Sequence, residues 1–89
     1  MALHKVQVVV LPRAVLLDPE GETIGQAAHR IGFTAIKGVR AGRAFILEIE
    51  AERSEEALNY AGELAQRLLH NPVVETYEVS LLSTTNTKK

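Results

Sequence analysis

The sequence of 89 residues predicts an α+β fold in which four antiparallel strands form one sheet and two helices cover one of its faces. Two observations support this prediction. β-Branched, alternating segments occur four times, and amphipathic helical segments follow the first and the third of them. The order strand, helix, strand, strand, helix, strand, with two right-handed crossovers around a hairpin, is that of a ferredoxin-like arrangement.

The first strand and the first helix are predicted on either side of a tight turn. Lys5–Leu11 alternates apolar and polar side chains as a strand does, and Pro12 limits its far end. Asp18–Gly21 is predicted as a stiff turn, because proline fixes φ and aspartate bonds to following amides. Thr23 is the predicted N-cap of the helix, and Gly32 its stop. The expected apolar face of this helix consists of Ile24, Ala27, Ala28 and Ile31.

A hairpin and a second helix are predicted next. Ala35–Arg40 and Arg43–Ala51 have the composition of two strands, joined by a turn at Ala41-Gly42. The second helix is predicted to begin with Ser54 as its cap and to end at Asn71-Pro72. Its apolar stripe is predicted to contain Ala57, Leu58, Ala61, Leu64, Ala65, Leu68 and Leu69.

The chain is predicted to form a single domain over residues 1–82, because its length fits one domain. Val73–Leu82 is the predicted last strand. Residues 83–89 are polar and are predicted to be a disordered tail. Hydrophobic residues make up 46% of the chain and aromatic residues 4%, so the core must be aliphatic.

The second face of the sheet is predicted to be an interface between copies of the chain. If Val6, Val8 and Val10 face the helices, the alternate side chains of the sheet face away from them. Several of these are apolar, and a large apolar patch on a small domain usually marks an interface. Scattered surface valines are the alternative explanation. The oligomer-interface candidates are Val9, Leu11, Ala44 and Ile46.

The sequence gives no sign of a catalytic, cofactor-binding or metal site in this chain. It has no cysteine, and His4, His29 and His70 lack metal-ligand spacing, so they are predicted to be solvated. There is no phosphate-binding glycine motif. The net charge of −1 gives no reason to expect nucleic acid. No apolar run approaches the ~20 residues of a membrane span, so a cytoplasmic protein is expected.

Three motifs together carry a resemblance to a known family. They are Leu17-Asp18-Pro19-x-Gly21, Val39-Arg40-x-Gly42 and Leu69-x-Asn71-Pro72. Four blocks carry the match and together span nearly the whole chain, leaving the tail. They are Lys5–Gly21, Ile36–Phe45, Glu48–Ala51 and Leu68–Val79. With these motifs at these separations the chain resembles the PurS family, the small subunits of phosphoribosylformylglycinamidine synthase. It departs from the family at Pro12-Arg13, where a lysine-rich strand exit is common.

The resemblance implies an inert assembly subunit of an ATP-dependent carbon–nitrogen ligase of purine biosynthesis. A glutaminase (Q) subunit would supply ammonia, and a synthetase (L) subunit would carry ATP and magnesium. The small subunit would be a dimer or tetramer that bridges the other two and supports ammonia transfer. The Lys37, Arg40 and Arg43 cluster could hold a phosphate or a partner's carboxylates, or could simply protect the hairpin. The partner-interface candidates are Asp18, Pro19, Gly21, Lys37, Arg40, Gly42, Arg43, Asn71 and Pro72.

A free-standing regulatory domain of the ACT type is the alternative from another functional class. Such domains bind amino acids at dimer interfaces, usually through a glycine-bearing loop after the first strand. Gly21 lies later in this sequence than that loop would place it.

Overall fold

The computed structural model describes residues 1–14 and 16–86. The first helix lies between the first two strands, and the second helix between the last two. A π-helical turn, Ala65–Leu69, directly continues the second helix. The elements are β1 (Ala2–Pro12), α1 (Pro19–Arg30), β2 (Arg43–Ala51), α2 (Ser54–Leu64) and β3 (Glu75–Asn86).

In the described part of the chain, the sheet has three strands in the order β2-β1-β3, and β1 is antiparallel to both neighbours. The α+β class is confirmed, but the prediction of a fourth strand at Ala35–Arg40 is wrong, since within the described residues this segment joins no strand. In the same residues, the first predicted crossover, through α1, is absent together with the strand that would end it. The second is present, because β2 and β3 are both antiparallel to β1, and hence parallel to each other, and α2 connects them. The segment after α1 packs against α1 instead of beside a strand.

The core lies between β1 and α2 and is built from small side chains. Three valines on one side of β1 are at most 1% exposed, as the alternation predicts. Three fully buried alanines face them from the second helix at intervals of four residues, which is the repeat of one helical face. Methyl side chains allow the helix axis to lie close to the sheet. The core residues are Val6, Val8, Val10, Ala57, Ala61 and Ala65.

Helix α1 begins earlier than predicted, because the predicted turn is its first turn. Asp18 is the N-cap, and its side chain accepts a hydrogen bond from the Gly21 amide. Pro19 is the first helical residue, a position that suits its fixed φ and missing N–H. The predictions of Thr23 as the cap and of a separate turn are therefore wrong.

The C-terminus of α1 is the one predicted. Gly32 has a φ of 106°, which favours glycine. Its amide donates to the His29 carbonyl at 3.1 Å, and the Phe33 amide donates to the Ala28 carbonyl at 2.9 Å. These two bonds form a Schellman motif, which satisfies the last carbonyls of the helix.

Contrary to the prediction, the two helices do not share one face of the sheet. No residue of α1 belongs to the core cluster, and within the described residues Gly21 is the one buried residue of that helix. Ile24 and Ile31 on its apolar face are 46% and 73% exposed. The predicted apolar face is therefore present on α1 but uncovered in a single chain.

The second helix differs from the prediction at both ends. Ser54 is its first residue, and Arg53 occupies the N-cap without a side-chain bond. The π-helical turn changes the angular position of the residues that follow, so Leu68 is 71% exposed instead of part of the stripe. The His70 amide and ring both bond to the Ala65 carbonyl, at 3.1 and 2.8 Å, where the turn ends.

His4 is buried, so the prediction that all three histidines are solvated is wrong for it. It is 1% exposed, and its Nε2–H donates to the Ala51 carbonyl at 3.2 Å. Its Nδ1 bonds to the Thr84 hydroxyl at 2.9 Å. The ring is enclosed because β1 begins before Lys5 and β3 continues to Asn86. The predicted tail is thus strand over residues 83–86, while residues 87–89 lie outside the described residues.

The single chain is flat and extended. Its principal dimensions are 54 × 30 × 13 Å, and its radius of gyration is 16.8 Å. A compact domain of this length would have a radius of gyration of about 12 Å. The excess follows from α1, which lies beyond the core with the segment that follows it.

Candidate functional site

The predicted partner-binding segments meet at the end of the sheet where β1 finishes. Register pairs Val10 with Arg43 on one side, and Pro12 with Glu75 on the other. We call this region the junction. It consists of residues 18–21, 39–43 and 71–75.

The Asp18 carboxylate holds two of these segments together. Oδ1 accepts from the Gly21 amide at 3.1 Å, and Oδ2 accepts from the Ala41 amide at 2.8 Å. The Arg40 Nε lies 3.9 Å from Oδ2, at the limit of an ion pair. The Asp18 side chain is 13% exposed. One side chain therefore caps α1 and fixes the segment that leads into β2.

Hydrogen bonds hold the pKa of the Asp18 carboxyl below its ordinary value of 3.8. The Ala41 amide is the largest cause and the Gly21 amide the second, because donated hydrogen bonds stabilise the ionised form. Partial burial opposes this shift, and Arg40 adds a smaller contribution that lowers the pKa. The carboxylate is therefore ionised at neutral pH.

Gly21 and Gly42 allow the backbones at the junction to approach closely. A Cβ on Gly21 would overlap the Val39 carbonyl oxygen and lie 2.7 Å from Asp18 Oδ2. A Cβ on Gly42 would overlap the Val10 carbonyl oxygen. Neither glycine has a positive φ, so close packing explains both of them.

Asn71 and Pro72 lie in a turn that Arg13 ties to the end of β1. The Asn71 side-chain oxygen accepts from the Val73 amide at 3.0 Å. The Arg13 guanidinium donates to the Pro72 and Val73 carbonyls at 2.6 and 3.2 Å, and its own amide donates to the Val74 carbonyl at 2.9 Å. The departure from the family motif at Arg13 therefore has a structural role.

Arg43 is already occupied within the chain. Its Nη2 donates to both Glu75 carboxylate oxygens, at 3.0 and 3.1 Å, and lies 3.4 Å from the Leu69 carbonyl. The guanidinium also lies 5.8 Å from the centroid of the Phe45 ring. This candidate therefore joins β2 to β3 and is less available to an anion than Lys37 or Arg40.

A groove beside the junction contains residues that sequence reasoning missed. It lies between α1 and residues 36–39 and has a volume of about 670 Å³. The His29 Nε2–H donates to the Ile36 carbonyl at 2.7 Å, and Arg30 and Lys37 line the same groove. The spacing Gly21, Gly25, His29 places these residues on one helical face, which was the available signal.

The four oligomer-interface candidates share the open face of the sheet. Val9 and Ala44 are directly opposite each other, and Ile46 is 51% exposed. Lys5 and Glu48 pair further along the same face. The open face is therefore apolar near the junction and charged away from it.

A second groove follows the outer edge of β2. It lies between this strand and α2 and has a volume of about 590 Å³. Tyr60 and Leu64 form part of its wall and are 69% and 38% exposed. Within the described residues β2 pairs with β1 alone, so its other edge has free backbone groups.

Within residues 1–14 and 16–86, no three His, Cys, Asp or Glu side chains are placed to hold a metal ion. No helix in the same part of the chain is long and apolar enough to cross a membrane.

Solved structures share this fold over nearly the whole chain. The PurS of Methanocaldococcus jannaschii, one of the subunits of formylglycinamide ribonucleotide amidotransferase in the purine biosynthetic pathway, is 30% identical, with a TM-score of 0.76 over 90% of this chain and 96% of that one. A chain of the PurLQS structure from Thermotoga maritima is 39% identical, with a TM-score of 0.82 over 92% of this chain and all of that one. These neighbours place the chain among the small α+β subunits of an amidotransferase.

The sequence comparisons give the particular family. The model of the PurS family, described as phosphoribosylformylglycinamidine (FGAM) synthase, matches residues 5–83. The PurS subunit of that synthase from Thermotoga maritima is 39% identical over 79 residues, which are 89% of this chain and 96% of that protein. The chain belongs to the PurS family, the small subunits of the FGAM synthase of purine biosynthesis. The predicted family is confirmed, and the ACT-type alternative is set aside.

Replacing Asp18 by asparagine should lower the melting temperature at pH 7. Asparagine offers one acceptor oxygen to two amides, so one hydrogen bond at the junction is lost. The folded pKa lies below the unfolded one, so the carboxylate stabilises the fold above pH 3.8 and loses this effect as pH falls through the folded pKa. The difference in melting temperature between wild type and Asp18→Asn, followed by circular dichroism, should be constant above about pH 5 and shrink below about pH 4. A difference that does not change with pH would contradict this account.

Gly21→Ala should lower the free energy of unfolding by about 1–3 kcal/mol, because the new methyl group overlaps the Val39 carbonyl. Gly62→Ala is the matched control: it lies within α2 and its Cβ would meet nothing within 4 Å. The control should raise the free energy of unfolding by about 0.5–1 kcal/mol. Urea unfolding at one protein concentration compares the two. Equal effects at both glycines would show that close packing does not explain Gly21.

Proposed function

We propose that this chain is the assembly subunit that joins a glutaminase (Q) and an ATP-dependent synthetase (L) subunit, and that its junction is the surface they bind. It would bridge the two and support ammonia transfer between them, while the synthetase subunit carries ATP and magnesium. The observation that carries this proposal is the Asp18 carboxylate, which holds two of the three motif segments of the family together in one surface. The PurLQS neighbour from Thermotoga maritima supports it. A cytoplasmic location belongs to the same proposal.

Preorganisation is the physical argument for the junction as a binding surface. Within the described chain, residues 36–41 pair with no strand, yet hydrogen bonds from the Ala41 amide to Asp18 and from His29 to the Ile36 carbonyl hold this segment on α1. A loop that is already ordered loses less conformational entropy on binding than a free one. Arg40 is 40% exposed, and its ion pair to Asp18 is long, so its guanidinium can also contact a partner.

We also infer that the chain associates with itself as a dimer or tetramer. The flat shape, the apolar end of the open face and the free edge of β2 support this. The uncovered apolar side of α1 adds a further surface that a second copy could bury. A small domain with an alanine-based core gains stability from burying such surfaces.

Arg40→Ala should weaken assembly more than folding. The long Arg40–Asp18 pair contributes at most about 1 kcal/mol to folding, because exposed ion pairs are weak. If Arg40 contacts a partner, affinity for purified glutaminase and synthetase subunits of the same organism should fall at least about tenfold, or 1.4 kcal/mol. Calorimetric titration gives the affinity, and melting temperature checks the fold. Arg53→Ala, an exposed arginine at the start of α2, is the control. Unchanged affinity together with a lower melting temperature would make Arg40 purely structural.

Sedimentation equilibrium at micromolar concentration should give a mass of at least two chains. Ile46→Lys should shift the protein towards monomer, since it places a charge in the apolar end of the open face. Thr85→Lys adds the same charge at the far end of that face, where β3 pairs with Leu3, and should have little effect. A monomeric wild type, or equal dissociation by both variants, would contradict self-association through this patch.

A further inference from the structure

The groove between α1 and residues 36–39 carries positive charge that the chain does not neutralise. Arg30 and Lys37 both line it, and within the described residues neither forms an ion pair. Lys37 Nζ reaches only the Thr34 carbonyl, at 3.4 Å. Glu22, the one acidic lining residue, lies two turns of helix from Arg30. The groove therefore has an excess of cations at the C-terminal end of α1.

The other wall of the groove is formed by residues 36–39, which lie in a segment with unpaired backbone donors. In the described part of the chain, the amides of residues 37–40 donate no hydrogen bond, and the segment belongs to no strand. Backbone groups of this kind can pair with an added extended chain. A Cβ on Gly38 would meet nothing within 4 Å, so there is room beside the segment for another main chain. The groove thus combines unpaired amides with side-chain cations.

We propose that this groove receives an extended acidic segment of a partner subunit, with its main chain paired to amides of residues 37–39 and its carboxylates on Arg30 and Lys37. The inference rests on the assembly function proposed above and names the chemistry that one part of the interface recognises. Singly charged carboxylates spread along a chain suit two separated cations. A compact phosphate dianion suits the site less, because the last turn of a helix carries partial negative charge.

The test compares two double variants that each neutralise one arginine and one lysine. Arg30→Gln/Lys37→Gln removes the groove cations, and Lys5→Gln/Arg53→Gln removes two exposed cations elsewhere. Affinity for the purified glutaminase and synthetase subunits of the same organism is measured by calorimetry at low and high salt. The groove variant should bind at least about tenfold more weakly at low salt, and the control within about twofold of wild type. Added salt should weaken wild-type binding more than that of the groove variant, since salt screens exposed charge pairs.

The outcomes separate this inference from the proposed function. If wild type binds and the groove variant binds equally well, the inference is overturned alone. If wild type binds neither subunit, the assembly function and the inference fail together. If the double variant melts below the assay temperature, the single variant Lys37→Gln replaces it, because residue 37 lies outside both helices. A Lys37→Gln variant that binds with wild-type affinity would overturn the inference. Titration with inorganic phosphate tests the other source of negative charge. If phosphate binds saturably and competes with the subunits, the proposal that the groove receives an acidic segment is overturned.

Discussion

The Asp18 carboxylate is the contact on which the arrangement of the first half of the chain depends. Residues 37–41 pair with no strand, so their position is fixed by what holds them to α1. Asp18 supplies this hold through the Ala41 amide while it caps α1 through the Gly21 amide. The absence of a Cβ on Gly21 brings the two backbones within reach. If this carboxylate is removed, the hydrogen bond from His29 to the Ile36 carbonyl still holds the other end of the segment.

The alanine-based core explains why so much apolar surface stays uncovered in the single chain. Three alanines let α2 lie flat on the valines of β1, which gives a layer only 13 Å thick. Small side chains bury little apolar area, so the hydrophobic contribution to folding is modest. The larger apolar side chains, such as Ile24 and Ile46, are left at the surface. A chain built this way gains from a partner both stability and cover for its apolar surface, whether the partner is a second copy or another subunit.

The sequence predicted features set by local pattern and failed where long-range pairing decides. Alternation placed Val6, Val8 and Val10 in the core, and Gly32 marked the end of α1, because each signal lies within a few residues. Ala35–Arg40 has strand-like residues, but only a neighbouring strand makes a strand of it. His4 is buried because the far ends of β2 and β3 reach it. The Asp-Pro start of α1 was readable as an N-cap with proline at the first position. At the site, the motif segments were predictable, but the groove of His29 and Arg30 needed the packing of residues 36–39 on α1.

Residues 36–41 combine contacts that fix their position with groups that stay unpaired. Asp18, His29 and the close approach of Val39 to Gly21 fix the segment on α1. The amides of residues 37–40 and the charge of Lys37 take no part in these contacts. The segment is held by a hydrogen bond to an ionised carboxylate and by one from a ring nitrogen, so its cations and the apolar surfaces of the chain are not used in this contact. In a strand within the sheet, these same amides would donate hydrogen bonds to a neighbouring strand. Because residues 35–40 form no strand, these amides stay unpaired, as the proposed binding of a partner segment requires.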